Sequence, residues 1–300
     1  MQLENYLSTA ILLMLFPLSM CKGILVGGNS RSKLLVSEWI QTVILSLVQG
    51  VTEFLPVSSS AHLILPSLLL GWRDQGLLFD VSVHAGTLGA VLVYFREKVW
   101  SLVQAMMLGS ERDRAELVAL IIATFPVVLV GMIFKDLIET ETRDLAVIAF
   151  TTLLFGILLG LADRFSRTQS TSENIVCNRH ALLIGIAQVF ALIPGASRSG
   201  VTITAALFLG YHPATAARFS FLMSLPVIAG ALSIMLLTAE GIDSPISIGH
   251  NILAFVLSAL CAYATIKLFI SLVSTVGLMP FVIYRIALGI ILLGFVTKGF

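Results

Sequence analysis

The chain has 300 residues, of which 57% are hydrophobic and 12% charged, with a formal net charge of +1 and a mean hydropathy of +0.99. A soluble globular domain carries about 25% charged residues, so this composition excludes an ordinary soluble fold and predicts an all-α polytopic membrane protein. The near-neutral charge gives no reason to invoke a nucleic-acid partner, and Cys21, Cys177 and Cys261 lack CxxC or metal-ligand spacing, so no disulfide or zinc site is expected.

Residues 9–20 (TAILLMLFPLSM) form a short apolar run, without the preceding basic residue a secretory signal needs. Leu18-Ser19-Met20-Cys21 is a poor match to a lipoprotein cleavage site, because Met precedes the Cys. Residues 1–36 are therefore set apart as an N-terminal extension, either an extra anchor or an over-extended start, ahead of one membrane domain over 37–300. Within that domain the stretches 37–72 and 180–212 are apolar but broken by Pro, Gly, Ser and charged residues, and read as pairs of short half-helices. The runs at 80–95, 117–134, 145–162, 219–239, 250–270 and 280–297 are each apolar and about long enough to cross a bilayer.

Charge between these runs sets an orientation. Arg96, Lys98, Arg112 and Arg114 lie in 96–116, and Arg164, Arg167 and Arg179 in 163–179. The 135–144 loop balances Lys135 and Arg143 with Asp136, Glu139, Glu141 and Asp144, and 240–249 holds Glu240 and Asp243 without Lys or Arg. The positive-inside rule puts the first two connections in the cytoplasm and the other two outside, with Asp80 on the external side. Lys22, Arg31 and Lys33 fit this scheme less well.

The chain also repeats itself. PVSSSAH at 56–62 aligns with PGASRSG at 194–200; Gln49 and Gln188 precede them, with one gap before the prolines. Pro56 to Asp80 and Pro194 to Arg218 both span 24 residues. Each half, about 37–170 and 171–300, would hold one broken segment followed by three spans. Three is odd, so the halves would be inserted upside down relative to each other, with the polar site where the broken segments meet.

Polar groups at membrane depth are costly and mark function by default. The first broken segment supplies Gln49, Glu53, Ser58, Ser59, Ser60 and His62; the second supplies Gly195, Ser197, Arg198, Ser199 and Gly200. Arg198 is a rigid cationic fork suited to phosphate, and the two glycines let backbone N–H groups approach an anion. Helix N-termini after each loop would add positive dipole ends, completing a phosphate cradle. Glu53 repels phosphate unless it holds a hard divalent cation such as Mg²⁺ or Ca²⁺, or serves as a general acid or base. Gln49, one helical turn earlier, offers only a neutral carbonyl to such an ion. His62 or a serine could accept the phosphoryl group. Asp80 stands as an outer candidate, and His84 reads as structural.

QGVTEFLPVSSSAHLIL at 49–65, PGASRSGVTI at 194–203 and DQGLLFDVSVHAGTLGAV at 74–91 resemble the signatures of the undecaprenyl-pyrophosphate phosphatases, also called bacitracin-resistance proteins. The likeness runs from about Glu38 to the C-terminus. It implies six spans, an inverted repeat with two re-entrant loops, and a site open to the periplasm of the bacterial inner membrane. It further implies hydrolysis of undecaprenyl pyrophosphate to undecaprenyl phosphate, which recycles the carrier for peptidoglycan synthesis and blunts bacitracin. The family's acidic motif falls on Gln49 and Glu53, its serine and histidine on Ser59 and His62, and its Ser-Arg-Ser on Ser197, Arg198 and Ser199. Many members have Glu where this chain has Gln49, leaving Glu53 the one motif carboxylate. The alternatives are a transporter or flippase of the same lipid and an ion-coupled carrier of small anions. A homo-oligomer is compatible with the sequence.

Overall fold

The computed structural model describes residues 30–107, 110–134, 137–138, 140, 142, 144–169, 175–238 and 247–298. Residues 1–29 of the N-terminal extension lie outside the described residues. So do Lys135, Asp136, Glu139, Glu141, Arg143, Glu240 and Asp243, which with Asp144 are the charges of the two loops expected outside. Eleven α-helices are present among the described residues: α1 (Ser30–Thr52), α2 (Ser59–Leu70), α3 (Leu77–Tyr94), α4 (Arg96–Ala105), α5 (Glu111–Ile133), α6 (Leu145–Gln169), α7 (Asn178–Gln188), α8 (Arg198–Phe208), α9 (Pro213–Thr238), α10 (Ile248–Val276) and α11 (Met279–Val296). A 3-10 turn, Val189–Leu192, follows α7.

Six of these helices, α3, α5, α6, α9, α10 and α11, are long and apolar enough to cross a membrane. The six expected runs fall on them and overshoot their C-terminal ends by a residue at most; several helices start earlier because polar first turns lie outside an apolar window. Large side chains such as Ile121, Phe125, Phe150, Leu260 and Ile283 are exposed on the outer faces of the spans. Water would penalise that surface and acyl chains would not, so the chain is a multi-pass membrane protein. The 96–116 connection contains the helix α4. Lys98 on α4 pairs with Asp113 and Glu116 at the start of α5, each at 2.5 Å, and Arg218 on α9 reaches Glu116 at 3.6 Å.

The two broken stretches are helical hairpins. Pro56 removes a backbone donor and disfavours helix at the residue before it, so α1 ends at Thr52 and the chain turns through 53–57 before α2 begins. Pro194 does the same after α7 and its 3-10 turn. The ends of each hairpin come together: Gln75 donates to Gln41 at 3.1 Å in the first. In the second, the Tyr211 hydroxyl lies 2.9 Å from His180 Nδ1 and accepts from the Cys177 N–H at 3.3 Å. α1 packs on α10, whereas α7 packs on α5, so each hairpin leans on a span of the other half of the chain. Small residues allow these approaches. A Cβ on Gly50 would run into Cys261 and the Ser258 carbonyl, and one on Gly185 into the Ala123 backbone.

Both hairpins turn on a serine. Ser58 (φ 76°) and Ser197 (φ 72°) are the non-glycine residues with positive φ among those described. Each accepts, on its Oγ, the N–H three residues on: Ala61 at 3.4 Å and Gly200 at 3.1 Å. Each also lies beside the serine two residues on, Ser60 at 3.2 Å and Ser199 at 3.3 Å. The equivalent positions are therefore Ser58 and Ser197, and the offset that matches them also matches Gln49 with Gln188 without a gap. The proline-based alignment is out of register by a residue: prolines mark where a helix stops, whereas the cap fixes where the next begins. The equal spacings to Asp80 and Arg218 then carry no structural meaning.

Candidate active site

The tips of the two hairpins meet. The Gly195 N–H donates to Ser58 Oγ at 3.2 Å, and Ser199 Oγ donates to the Leu55 carbonyl at 2.8 Å. Above this junction Glu53, which is 7% exposed, collects three donors. Its Oε2 accepts from Ser59 Oγ at 2.7 Å and Gln49 Nε2 at 3.0 Å, and its Oε1 accepts from Arg198 Nη2 at 2.9 Å. Arg198 also donates through Nη1 to the Ser220 carbonyl at 3.1 Å, and its guanidinium lies 5.8 Å over the Phe54 ring. Two of its five donors are thus engaged.

His62 is held at both ring nitrogens. Its Nδ1 lies 2.6 Å from the Ser58 carbonyl, and its Nε2 lies against the Tyr284 hydroxyl on α11. A carbonyl can only accept, so Nδ1 carries a proton and donates it to Ser58. The imidazole is a strut between α2 and α11 in this state.

The structure brings together Gln49, Glu53, Ser58, Ser59, Ser60, His62, Gly195, Ser197, Arg198, Ser199 and Gly200. It also sorts them. The hydroxyls of Ser58 and Ser197 cap helices and that of Ser199 bridges to Leu55, all buried, so these three build the junction. Ser59, Ser60, His62 and Arg198 retain exposure and form its open side. Asp80 is half-buried in the first turn of α3, where its carbonyl accepts from His84 Nδ1 at 2.7 Å. His84 lies close enough to the Glu53 carboxylate to interact with it electrostatically.

Two side chains escaped the sequence reading. Tyr284 and Arg285 sit mid-span on α11, and Arg285 is fully buried, donating to carbonyls of both hairpin tips. An arginine inside an apolar run is a signal at membrane depth and would have found it. Tyr284 carries no comparable signal. His84, read as structural, is held by the Asp80 carbonyl of its own helix.

A divalent cation can be tested against these donors. Among the described residues there is no cluster of three or more His, Cys, Asp or Glu side chains. Beside Glu53, however, the buried Gln49 Oε1 has no hydrogen-bond partner. A carboxylate with an acceptor position left on Oε1 and an orphaned amide oxygen one turn away suit a hard ion that draws its remaining ligands from substrate and water.

Six apolar spans around two serine-capped helix N-termini, joined by a Glu–Arg pair, define a multi-pass membrane protein with a polar internal site. The family model described as Bacitracin resistance protein BacA matches residues 42–291, from within α1 to within α11, and the chain belongs to that family.

Proposed function

We propose that this protein is an integral-membrane phosphatase of the bacterial inner membrane that hydrolyses undecaprenyl pyrophosphate to undecaprenyl phosphate and inorganic phosphate. The observation that carries the reading is the Ser59–Glu53–Arg198 chain of contacts, at 2.7 and 2.9 Å. It has the form of a nucleophile, a base that can take its proton, and a charged group that orients the base. The family's link to bacitracin resistance supports a pyrophosphate lipid as substrate.

In this mechanism the free donors of Arg198, the Ser60 hydroxyl and the first N–H groups of α2 and α8 hold the pyrophosphate oxygens. Ser59 Oγ attacks the terminal phosphorus and its proton passes to Glu53. The bond to the bridging oxygen breaks, and undecaprenyl phosphate leaves with the bond's electron pair and takes the proton from Glu53, which becomes a carboxylate again. Water, deprotonated by Glu53 in turn, then attacks the phosphoserine; the bond to Ser59 Oγ breaks, and the proton on Glu53 passes to that oxygen, giving inorganic phosphate and restoring Ser59. Ser58, Ser197, Ser199, Gly195 and Gly200 shape the backbone around the phosphates. A Mg²⁺ or Ca²⁺ ion, held by Glu53 and Gln49, would neutralise pyrophosphate charge. His62 keeps α2 in place, Asp80 acts on the site through His84, and the apolar surface between the halves takes the polyprenyl tail.

Opposite hairpin insertion, as an inverted repeat within 37–300, puts the site between the halves, open to the periplasm. The swapped packing of α1 on α10 and α7 on α5 supports this arrangement. Joined broken helices also occur in transporters, and assay of the purified protein in detergent separates the two readings. Phosphate release from the lipid pyrophosphate with Mg²⁺ or Ca²⁺ present is the expected result. Lipid binding without release, together with lipid movement across proteoliposomes, would assign a flippase instead.

A further inference from the structure

Arg285 has no exposed surface, and its guanidinium is satisfied by backbone alone. Nε donates to the Thr152 carbonyl at 3.2 Å; Nη1 to Pro56 at 3.2 Å and Ala196 at 3.0 Å; Nη2 to Thr151 at 3.4 Å and Gly195 at 2.7 Å. One side chain thus ties the first hairpin tip, the second hairpin tip and α6 to α11. Space for it is built in. A Cβ at Gly156 would meet Arg285 Cβ at 2.9 Å, and one at Gly200 would meet its Nη1 at 2.9 Å.

The carbonyls it gathers are placed tellingly. Pro56 stands two residues before Ser58, and Gly195 and Ala196 stand immediately before Ser197. These are the two serines with left-handed backbone. Carbonyl oxygens converging on one point repel one another unless a cation lies between them. The planar fork therefore fixes the peptide planes that lead into both caps. Its charge is also unanswered. None of the ion pairs among the described residues includes Arg285, whereas Glu53 already answers Arg198.

We propose that Arg285 is a positioning residue of the phosphate site, locking the two serine-capped helix N-termini against each other and leaving there an excess positive charge for a pyrophosphate anion. The proposal rests on the lipid-pyrophosphate reading given above. In a low-dielectric interior a fixed, unpaired cation behind the loops draws an anion to their open side.

The test uses the full-length protein in detergent as wild type, Arg285→Lys and Arg285→Gln. Each is measured for binding of inorganic pyrophosphate by calorimetry, for kcat and KM on the lipid pyrophosphate, and for melting temperature. Arg285→Lys keeps the charge and breaks the fork. It is expected to bind pyrophosphate within about threefold of wild type while kcat falls at least about tenfold. Arg285→Gln loses the charge and is expected to weaken pyrophosphate binding at least about tenfold. A folded Arg285→Gln that binds and turns over like wild type overturns the proposal. So do equal losses in both variants that merely follow melting temperature. Should Arg285→Gln not fold, Arg285→Lys decides alone: wild-type kcat overturns the proposal and the split between binding and kcat upholds it. A wild type that binds pyrophosphate but releases no phosphate sinks the phosphatase reading instead, and the binding arm still tests Arg285.

Discussion

Ser59 Oγ donates a 2.7 Å hydrogen bond to Glu53 Oε2 across the turn that interrupts the first broken helix. The contact joins a half-buried hydroxyl to a buried carboxylate, and Arg198 from the other half of the chain holds the far oxygen of that carboxylate at 2.9 Å. A serine beside a buried carboxylate has a place to leave its proton. Ser59→Ala is expected to lower phosphate release on the order of 10⁴-fold with the protein still folded. Ser60→Ala, which removes a hydroxyl at the open side only, should lower it by no more than roughly tenfold. Steady-state turnover of the two variants in detergent checks this ordering.

The Glu53–Arg198 pair makes a stability prediction as well as a catalytic one. Removing either partner leaves the other charge buried, and such losses cost about 3–5 kcal/mol. Glu53→Ala and Arg198→Ala should each lower the melting temperature and cut turnover by about 100- to 1,000-fold or more. The double variant should be more stable than the sum of the single losses implies, because no charge is then left unpaired. Strict additivity in a thermal-melt cycle would show that the two side chains are not coupled.

The strut role of His62 predicts a mild effect at its partner. Tyr284→Phe removes the hydroxyl that meets Nε2, a loss of about 1 kcal/mol of stability. Turnover should stay within roughly tenfold of wild type if the ring acts only as a spacer. A far larger fall in kcat at unchanged melting temperature would move His62 and Tyr284 into the proton path.

Gln49 makes a prediction by gain. Its buried Oε1 has no partner and stands beside Glu53. Gln49→Glu adds a second carboxylate one helical turn from the first, and a cation site tightens with ligand charge. The divalent-ion concentration giving half-maximal turnover should fall by roughly tenfold. An unchanged ion requirement would place the ion elsewhere.

Much of this architecture is legible in the chain because the bilayer imposes a length and a polarity on every span. The six apolar runs could be read directly, and the polar stretches 49–62 and 194–200 stood out against them. Motif serines and Arg198 were visible for the same reason. What could not be read is which hydroxyl does what. Ser58, Ser197 and Ser199 look like Ser59 in sequence, yet they are consumed as caps and bridges because left-handed backbone at Ser58 and Ser197 turns them inward. The helix α4 was missed because it is short and charged, with no apolar run to mark it. Arg285 was overlooked inside a run counted as a span, although its charge alone marked it out. His84 could be linked to Glu53 only once α3 was placed against the hairpin.

The most direct test of the central claim is a rapid-quench experiment with lipid pyrophosphate labelled in its terminal phosphate, followed by mapping of the label on the protein. The account predicts transient label on Ser59 that chases into inorganic phosphate in wild type and is absent from Ser59→Ala. Label on His62, or full turnover with no label on the protein at any quench time, would contradict it.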